Sequence, residues 1–270
     1  MINKKGWILM KYTEITDENK FYKISSACYD RLSSGSESTV YLDGENVLKI
    51  FTAKICSDDG RILAQNKLSN LDQQTYVGFD NVYTNNGYVI AGTHKFIEGN
   101  QLIKGLKDID LELLSKFIKK IYIDTKKISD EKILINDAQF LNVFVNQNGI
   151  YFIDTTRFKV YSSSDEVYKP KIKNRLSLMD TTRFKSHDSS DEIYKSNIKS
   201  MLSLIDECLF FLLKKDDILK PIKKELIKQY NSKENMDEAL LNIKYDFCKY
   251  YDSEIKSMND ILAKMNVKRK

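Results

Sequence analysis

Histidine is scarce in this chain: His94 and His187 are the two in 270 residues. They stand far apart with no cysteine pair beside either, which argues against a His-based zinc site and against a Ser-His-Asp triad. Cysteine is sparse too. Cys28, Cys56, Cys208 and Cys248 form no C-x-x-C spacing, so they read as reduced thiols, buried or half-buried, in a cytosolic chain. Long apolar runs are missing. Trp7 to Met10 is too short for a signal-peptide core, and Cys208 to Leu213 falls far below the roughly 20 residues of a membrane span. A cytoplasmic location is expected, with a secreted effector as the open alternative, and no membrane partner. Charge of one sign is also missing. Lys plus Arg is 43 and Asp plus Glu 38, a formal net charge of +5. That reads as a solvated Lys-rich surface and not a nucleic-acid footprint; the tail Lys264 to Lys270 is the one basic exception.

What is present is ordinary globular composition, with 42% hydrophobic and 30% charged residues. A chain of this length buries a real core, as one two-lobed domain or two small ones. Up to about residue 100 the pattern is short, alternating and turn-rich. Val40 to Leu42 and Val47 to Phe51 flank Asp43-Gly44-Glu45-Asn46, a hairpin signal. Asn81 to Thr84 and Tyr88 to Phe96 flank Asn85-Asn86-Gly87, a second one. Between them Asp58 to Leu71 reads as a helix, with Asp58 and Asp59 in its first turn and Ile62, Leu63, Leu68 and Leu71 as its apolar stripe. From Asp110 to Ile128, residues Leu111, Leu114, Phe117, Ile118, Ile121 and Tyr122 recur at helical spacing. Leu141 to Val145 and Ile150 to Ile153 then flank Asn146-Gln147-Asn148-Gly149, a third hairpin. Beyond residue 195 the pattern is helical, and Pro221 is placed to start one helix.

The chain repeats itself once. Residues 154–179 and 180–205 are aligned without gaps, and 17 of their 26 positions are identical. Two copies are too few for a solenoid, so this reads as a tandem duplication inside an existing domain.

Two constellations carry chemistry. The first is Asp137-x-x-x-x-Asn142, followed by a hairpin and Asp154. It offers one carboxylate for an incoming hydroxyl, and an amide oxygen with a second carboxylate for a hard cation. The second lies upstream. Leu32 to Val40 contains Gly35, and Val47-Leu48-Lys49-Ile50 follows on the returning strand. In this order the motifs resemble the protein-kinase superfamily, over residues 31–160. Gly35 and Val40 resemble the phosphate-covering loop, with Ser33 and Ser38 at two other glycine positions. Lys49 resembles the phosphate-binding lysine, and Tyr88 to Phe96 with Ile97-Glu98-Gly99 resembles the connection that meets adenine.

The resemblance implies an α+β, two-lobed kinase-like fold, a reduced and divergent bacterial-type member. One domain would span 1–270, with a small antiparallel β lobe over 25–97 and a mostly α lobe over 98–270. It implies ATP and Mg²⁺ as cofactors. Asp137 would act at the acceptor hydroxyl, Asn142 and Asp154 would hold Mg²⁺, and Gly35, Val40, Lys49 and Ile97 would bind nucleotide. The implied activity is a serine/threonine protein kinase acting on a protein substrate.

Departures from the pattern keep two alternatives open. Ile135-Asn136 replaces His-Arg before the catalytic Asp, and Asn136 resembles aminoglycoside- and choline-kinase relatives. Asp154-Thr155-Thr156 replaces Asp-Phe-Gly. No helix Glu for Lys49 stands out among Asp58, Asp59 and Gln65, and the duplication falls on the activation segment. The alternatives are therefore a small-molecule kinase and a pseudokinase that binds partners. Asp180, preceded by Leu176 to Met179 and not by a strand, reads as a copy without the metal role. Ser162 to Ser164 and Ser189-Ser190 read as a surface loop. His94 reads as a packed strand residue, His187 as solvated and Trp7 as an anchor. Cys56 is expected near the nucleotide cleft.

Overall fold

Turn chemistry sets the framework of the N-terminal half. A computed structural model describes residues 10–105, 111–161, 192–201, 203–204, 220–239, 241–242 and 245. Trp7, Ser162 to Ser164, Asp180, His187, Ser189-Ser190, Cys208, Cys248 and the tail Lys264 to Lys270 lie outside them. The hairpin around Gly44 joins β3 (Ser38–Asp43) to β4 (Asn46–Cys56), with Asp43 opposite Asn46. Gly44 has φ +59°, in the left-handed region that glycine enters freely. The next hairpin joins β5 (Asn81–Asn85) to β6 (Tyr88–Lys95). Its two turn residues, Asn86 and Gly87, both have positive φ, as a right-twisting hairpin demands. β2 (Asp30–Ser34) pairs with β3 on the outer side.

The sheet reaches further toward the N-terminus than residue 25. β1 (Lys11–Glu14) runs parallel to β5, and α1 (Glu18–Cys28) follows with Asp17 as N-cap. The six strands are ordered β1-β5-β6-β4-β3-β2. β1 and α1 carry few buried residues, so the periodicity that marks core-facing elements is weak there.

α2 (Gly60–Asn70) starts two residues later than the expected Asp58, so the acidic pair precedes its first turn. Asp59 is the N-cap, accepting from the Arg61 amide at 2.8 Å. Its buried face is Ile62, Ala64, Gln65 and Leu68, while Leu63 points outward, 44% exposed. The expected stripe is corrected at that position. α2 also joins two cores. Ile62 packs with Met10, Phe51, Ile55, Phe79, Val82 and Val89 behind the sheet. Ala64 and Leu68 pack with the helical half, among Tyr76, Phe117, Ile128, Phe152 and Met201.

α3 (Leu102–Gly105) and α4 (Leu111–Asp130) lead into β8 (Ile133–Leu134), and β7 (Asn100–Gln101) precedes them. Leu114, Phe117, Ile118 and Ile121 are buried on α4, as their spacing predicts. The third hairpin is β9 (Val143–Asn146) and β10 (Gly149–Phe152). Leu141 is not in its strand; it sits in a 3-10 turn, Phe140–Asn142, and is exposed. β11 (Lys159–Val160) returns antiparallel to β8. α5 (192–201), α6 (Lys220–Gln229) and α7 (233–239) complete the described helices, and Pro221 stands in the first turn of α6. The architecture is α+β with a mixed sheet. Among the described residues, no helix is long and apolar enough to cross a membrane.

The repeat is used unequally. The first copy supplies Asp154 to Tyr161, and the second supplies α5, where Asn197, Ile198 and Met201 are fully buried. Three of the unlike positions fall at contacts. Val160 pairs with Ile133, while its counterpart is Ser186; Asn197 and Met201 have Lys171 and Arg175 as counterparts.

Candidate functional site

The strand that carries Lys49 is central in the sheet, so its neighbours are set by register. Val40 lies directly opposite Lys49 on β3 and is half-buried. Lys49 itself is 8% exposed. A buried ammonium needs an anion, and it finds Asp154, with Nζ 2.6 Å from Oδ1. It also donates to Thr156 Oγ1 at 3.1 Å. No acidic residue of α2 supplies this partner. Asp59 is engaged as the helix cap, and Gln65 donates instead to the Thr155 carbonyl at 2.7 Å.

Asp154 is aimed by the backbone on both sides of it. Phe152 donates its N–H to the Thr75 carbonyl at 2.7 Å and accepts from the Val77 N–H at 3.0 Å. That linker is itself held by buried Asp124 of α4, which accepts from Thr75 Oγ1 at 2.6 Å. Ile153 donates to the Asn142 carbonyl at 3.0 Å, which sets Asn142 beside the end of β10. Beyond Asp154, Thr155 is buried and donates to the Val77 carbonyl at 2.6 Å. Asn142 and Asp154 thus present an amide and a carboxylate from adjoining segments. Among the described residues, no group of three or more His, Cys, Asp or Glu side chains is placed to hold a metal.

Asp137 lies on the exposed loop after β8, with φ +59°. That backbone conformation is uncommon outside glycine and must be held by its surroundings. Two residues earlier, the Ile135 N–H donates to the Asn197 side-chain oxygen at 2.7 Å. The Asn197 amide donates to the Ile133 carbonyl at 2.8 Å and to Ser129 Oγ at 2.9 Å. Asn197 therefore clamps α4, β8 and the start of the loop from a fully buried position. Nearer the carboxylate, Gln139 Nε2 donates to Asp137 Oδ1 at 2.7 Å, and Arg157 Nη1 is 2.7 Å from Oδ2.

Arg157 also reaches the Gly35 loop. The turn there is closed by Gly35 N–H to the Ser38 carbonyl at 2.9 Å. Glu37, at its tip, is paired with Arg157, Nε lying 3.1 Å from Oε2 with a second contact through Nη2. Arg157 thus ties the loop over β2 and β3 to Asp137. Residue-by-residue reading of motifs misses Arg157, Glu37 and Asn197, since none stands at a motif position. The only available signal is that Asp154 to Lys159 recurs intact at 180–185.

Two expected positions need correction or detail. Cys56 pairs with Tyr88 at the far end of β4, seven residues from Lys49, which is roughly 20 Å along a strand. It is not near Lys49, and both it and Cys28 are exposed instead of buried. In the connection after β6, Ile97 is half-buried, but the Phe96 N–H already donates to the Glu45 carbonyl at 2.8 Å. His94 is packed as expected, 6% exposed, with Nδ1 donating to the Lys95 carbonyl at 2.8 Å. Burial lowers its imidazole pKa from the usual value, favouring the neutral ring.

Burial alone pushes the Asp154 carboxyl up, but the Lys49 charge and the hydrogen bonds from Lys49 and Thr156 outweigh it. Its pKa ends below the ordinary carboxylate value. Hydrogen bonding by Arg157 likewise lowers Glu37. A carboxylate depressed in the folded state adds stability above its unfolded pKa, and that stability is lost as pH falls through the folded value. Wild-type urea midpoints are expected to fall below about pH 4. Asp154→Asn should show a shallower fall there; the same slope in both would show that the pair contributes nothing.

Neither protein-family models nor curated proteins give a match to this chain.

Proposed function

We propose that this protein is an ATP- and Mg²⁺-dependent phosphotransferase of the two-lobed protein-kinase-like fold, with a serine or threonine hydroxyl of a protein as acceptor. The carrying observation is the Lys49–Asp154 pair, 2.6 Å apart across 105 positions of chain. It joins the strand under the Gly35 loop to the segment after the third hairpin. Lys49 meets the inner phosphates, the Gly35 loop covers them, and Val40 and the Ile97 backbone contact adenine. Asn142 and Asp154 hold Mg²⁺; their oxygen donors suit this cation, which would neutralise phosphate charge when bound with the nucleotide. Asp137 orients the acceptor hydroxyl and takes its proton. Rate enhancement then comes mainly from positioning and charge.

The test is label transfer from ATP with Mg²⁺ to the protein itself or to added proteins. Asp137→Asn should keep nucleotide binding and lose about 10²- to 10⁴-fold in transfer. Equal labelling by this variant would remove Asp137 from the mechanism.

One observation favours a second reading, a nucleotide-binding module without transfer: Asp137 is already paired with Arg157. That reading gives an ATP-dependent rise in melting temperature with no label on any acceptor. Label on a sugar or amino alcohol but not on protein would assign a small-molecule acceptor.

A further inference from the structure

The loop from Asp137 to Asn142, Asp-Ala-Gln-Phe-Leu-Asn, carries no basic residue. Lys49 is committed to Asp154 at the inner end of the site. A transferring phosphoryl group beside Asp137 would place several negative oxygens next to a carboxylate, and it needs a cation there. The only cation within ion-pair distance of Asp137 among the described residues is Arg157.

Its backbone is held from both sides, while its half-exposed side chain is held by two carboxylates. Phe158, 1% exposed, anchors the segment, and its N–H closes a turn on the Thr155 carbonyl at 2.9 Å. The Arg157 carbonyl accepts from Asn136 Nδ2 at 3.1 Å. The Arg157 side chain is 46% exposed, and its guanidinium spans from Asp137 to Glu37. Glu37 belongs to the loop proposed to cover the phosphates, so its carboxylate occupies the Arg157 fork where a phosphate would arrive. Both are planar or tetrahedral oxyanions that an arginine fork can grip through two N–H groups.

We infer that Arg157 is a catalytic residue that exchanges Glu37 for the terminal phosphate of ATP while keeping Asp137 in place. The inference rests on the phosphotransferase reading above. In the step, the acceptor oxygen forms a bond to the γ-phosphorus as the bond from that phosphorus to the β–γ bridging oxygen breaks. ADP leaves, the acceptor proton passes to Asp137, and Arg157 balances charge on the transferring oxygens. Arginines used in this way accelerate phosphoryl transfer by about 10³- to 10⁵-fold.

The experiment compares binding of ADP and of a non-hydrolysable ATP analogue, together with label transfer, in wild type, Arg157→Ala and Glu37→Gln. Arg157→Ala should bind ADP within about twofold of wild type, lose tenfold or more in preference for the analogue, and lose about 10³-fold in transfer. Glu37→Gln should move the other way, raising the preference for the analogue, because a neutral amide competes poorly for the guanidinium. If the Arg157 pairs are only structural, both variants shift the preference in the same direction, and the proposal fails. An unchanged analogue-to-ADP ratio in Arg157→Ala also overturns it. Wild-type protein that binds neither nucleotide would sink the phosphotransferase reading itself, a result separable from either of these.

Discussion

Asp154→Ala is expected to abolish label transfer and to remove the magnesium dependence of nucleotide binding. Two losses coincide in this one substitution. The oxygen donor proposed to face the cation disappears, and the Lys49 ammonium, with its side chain 10% exposed, loses its anion. Losing a fixed charge aimed at a transition state costs about 10²- to 10³-fold, and losing a metal ligand adds to it. A fall of 10³-fold or more is therefore expected. Stability should fall less, by about 1–3 kcal/mol, because the Asp154 side chain is 38% exposed and water compensates part of the loss. Asp154→Asn separates the effects, since it keeps volume and one oxygen but not the charge. Label transfer and urea unfolding on the three proteins check this. Transfer within threefold of wild type in the alanine variant would remove Asp154 from the site.

Asn197→Ala is expected to produce the largest loss of stability among single substitutions of polar residues outside the proposed site. The side chain is fully buried and its three hydrogen bonds join segments more than 60 positions away in sequence. Truncation orphans the Ile135 N–H and the Ile133 carbonyl, at about 1–3 kcal/mol each. Ser129 Oγ keeps its bond to the Thr125 carbonyl and adds little. The expected cost is about 2–5 kcal/mol, or on the order of 5–15 °C in melting temperature for a chain of this size. Transfer at permissive temperature should fall as well, because the unusual backbone of Asp137 begins two residues past the lost bond. Lys233→Ala is the contrast: the Lys233 ammonium is solvated and pairs with Asp237 at i, i+4 on one helix, so its loss should leave the melting temperature nearly unchanged. Equal melting temperatures for Asn197→Ala and wild type would show that Asn197 is dispensable.

The same two residues mark the boundary of what a reader of the sequence could see. Asp154 was legible because a strand pattern, a turn and a carboxylate occur together over a dozen residues. Asn197 was not, because its importance lies in groups on α4 and β8 that no local pattern connects to it. Gln65 was visible as a candidate near Lys49, but its target proved to be Thr155, a choice made by how α2 packs. Leu63 failed as a core residue for a related reason. An apolar residue on a short helix between two cores is buried only if the neighbouring elements happen to reach that side, and here they do not.

What the sequence by itself determined is the local geometry: the positions of the three hairpin turns, α2 between the first two, α4 to within about two residues, and the scarcity of histidine. Those follow from φ/ψ preferences at Gly44, Asn86 and Gly87 and from apolar spacing, which act over a few residues. Tertiary structure alone decided which charges meet. Lys49 is joined to Asp154, and Arg157 is joined to both Glu37 and Asp137, the first of these 120 positions away. It also decided that the first copy of the repeat supplies the site and the second supplies α5. For the buried Lys49 and Asn197 the physical reason is desolvation, not sequence distance, whereas the more exposed Arg157 meets Glu37 and Asp137 because the fold sets the Gly35 loop and the Asp137 loop on either side of it. A buried ammonium or amide must be satisfied by whatever the fold brings within about 3 Å.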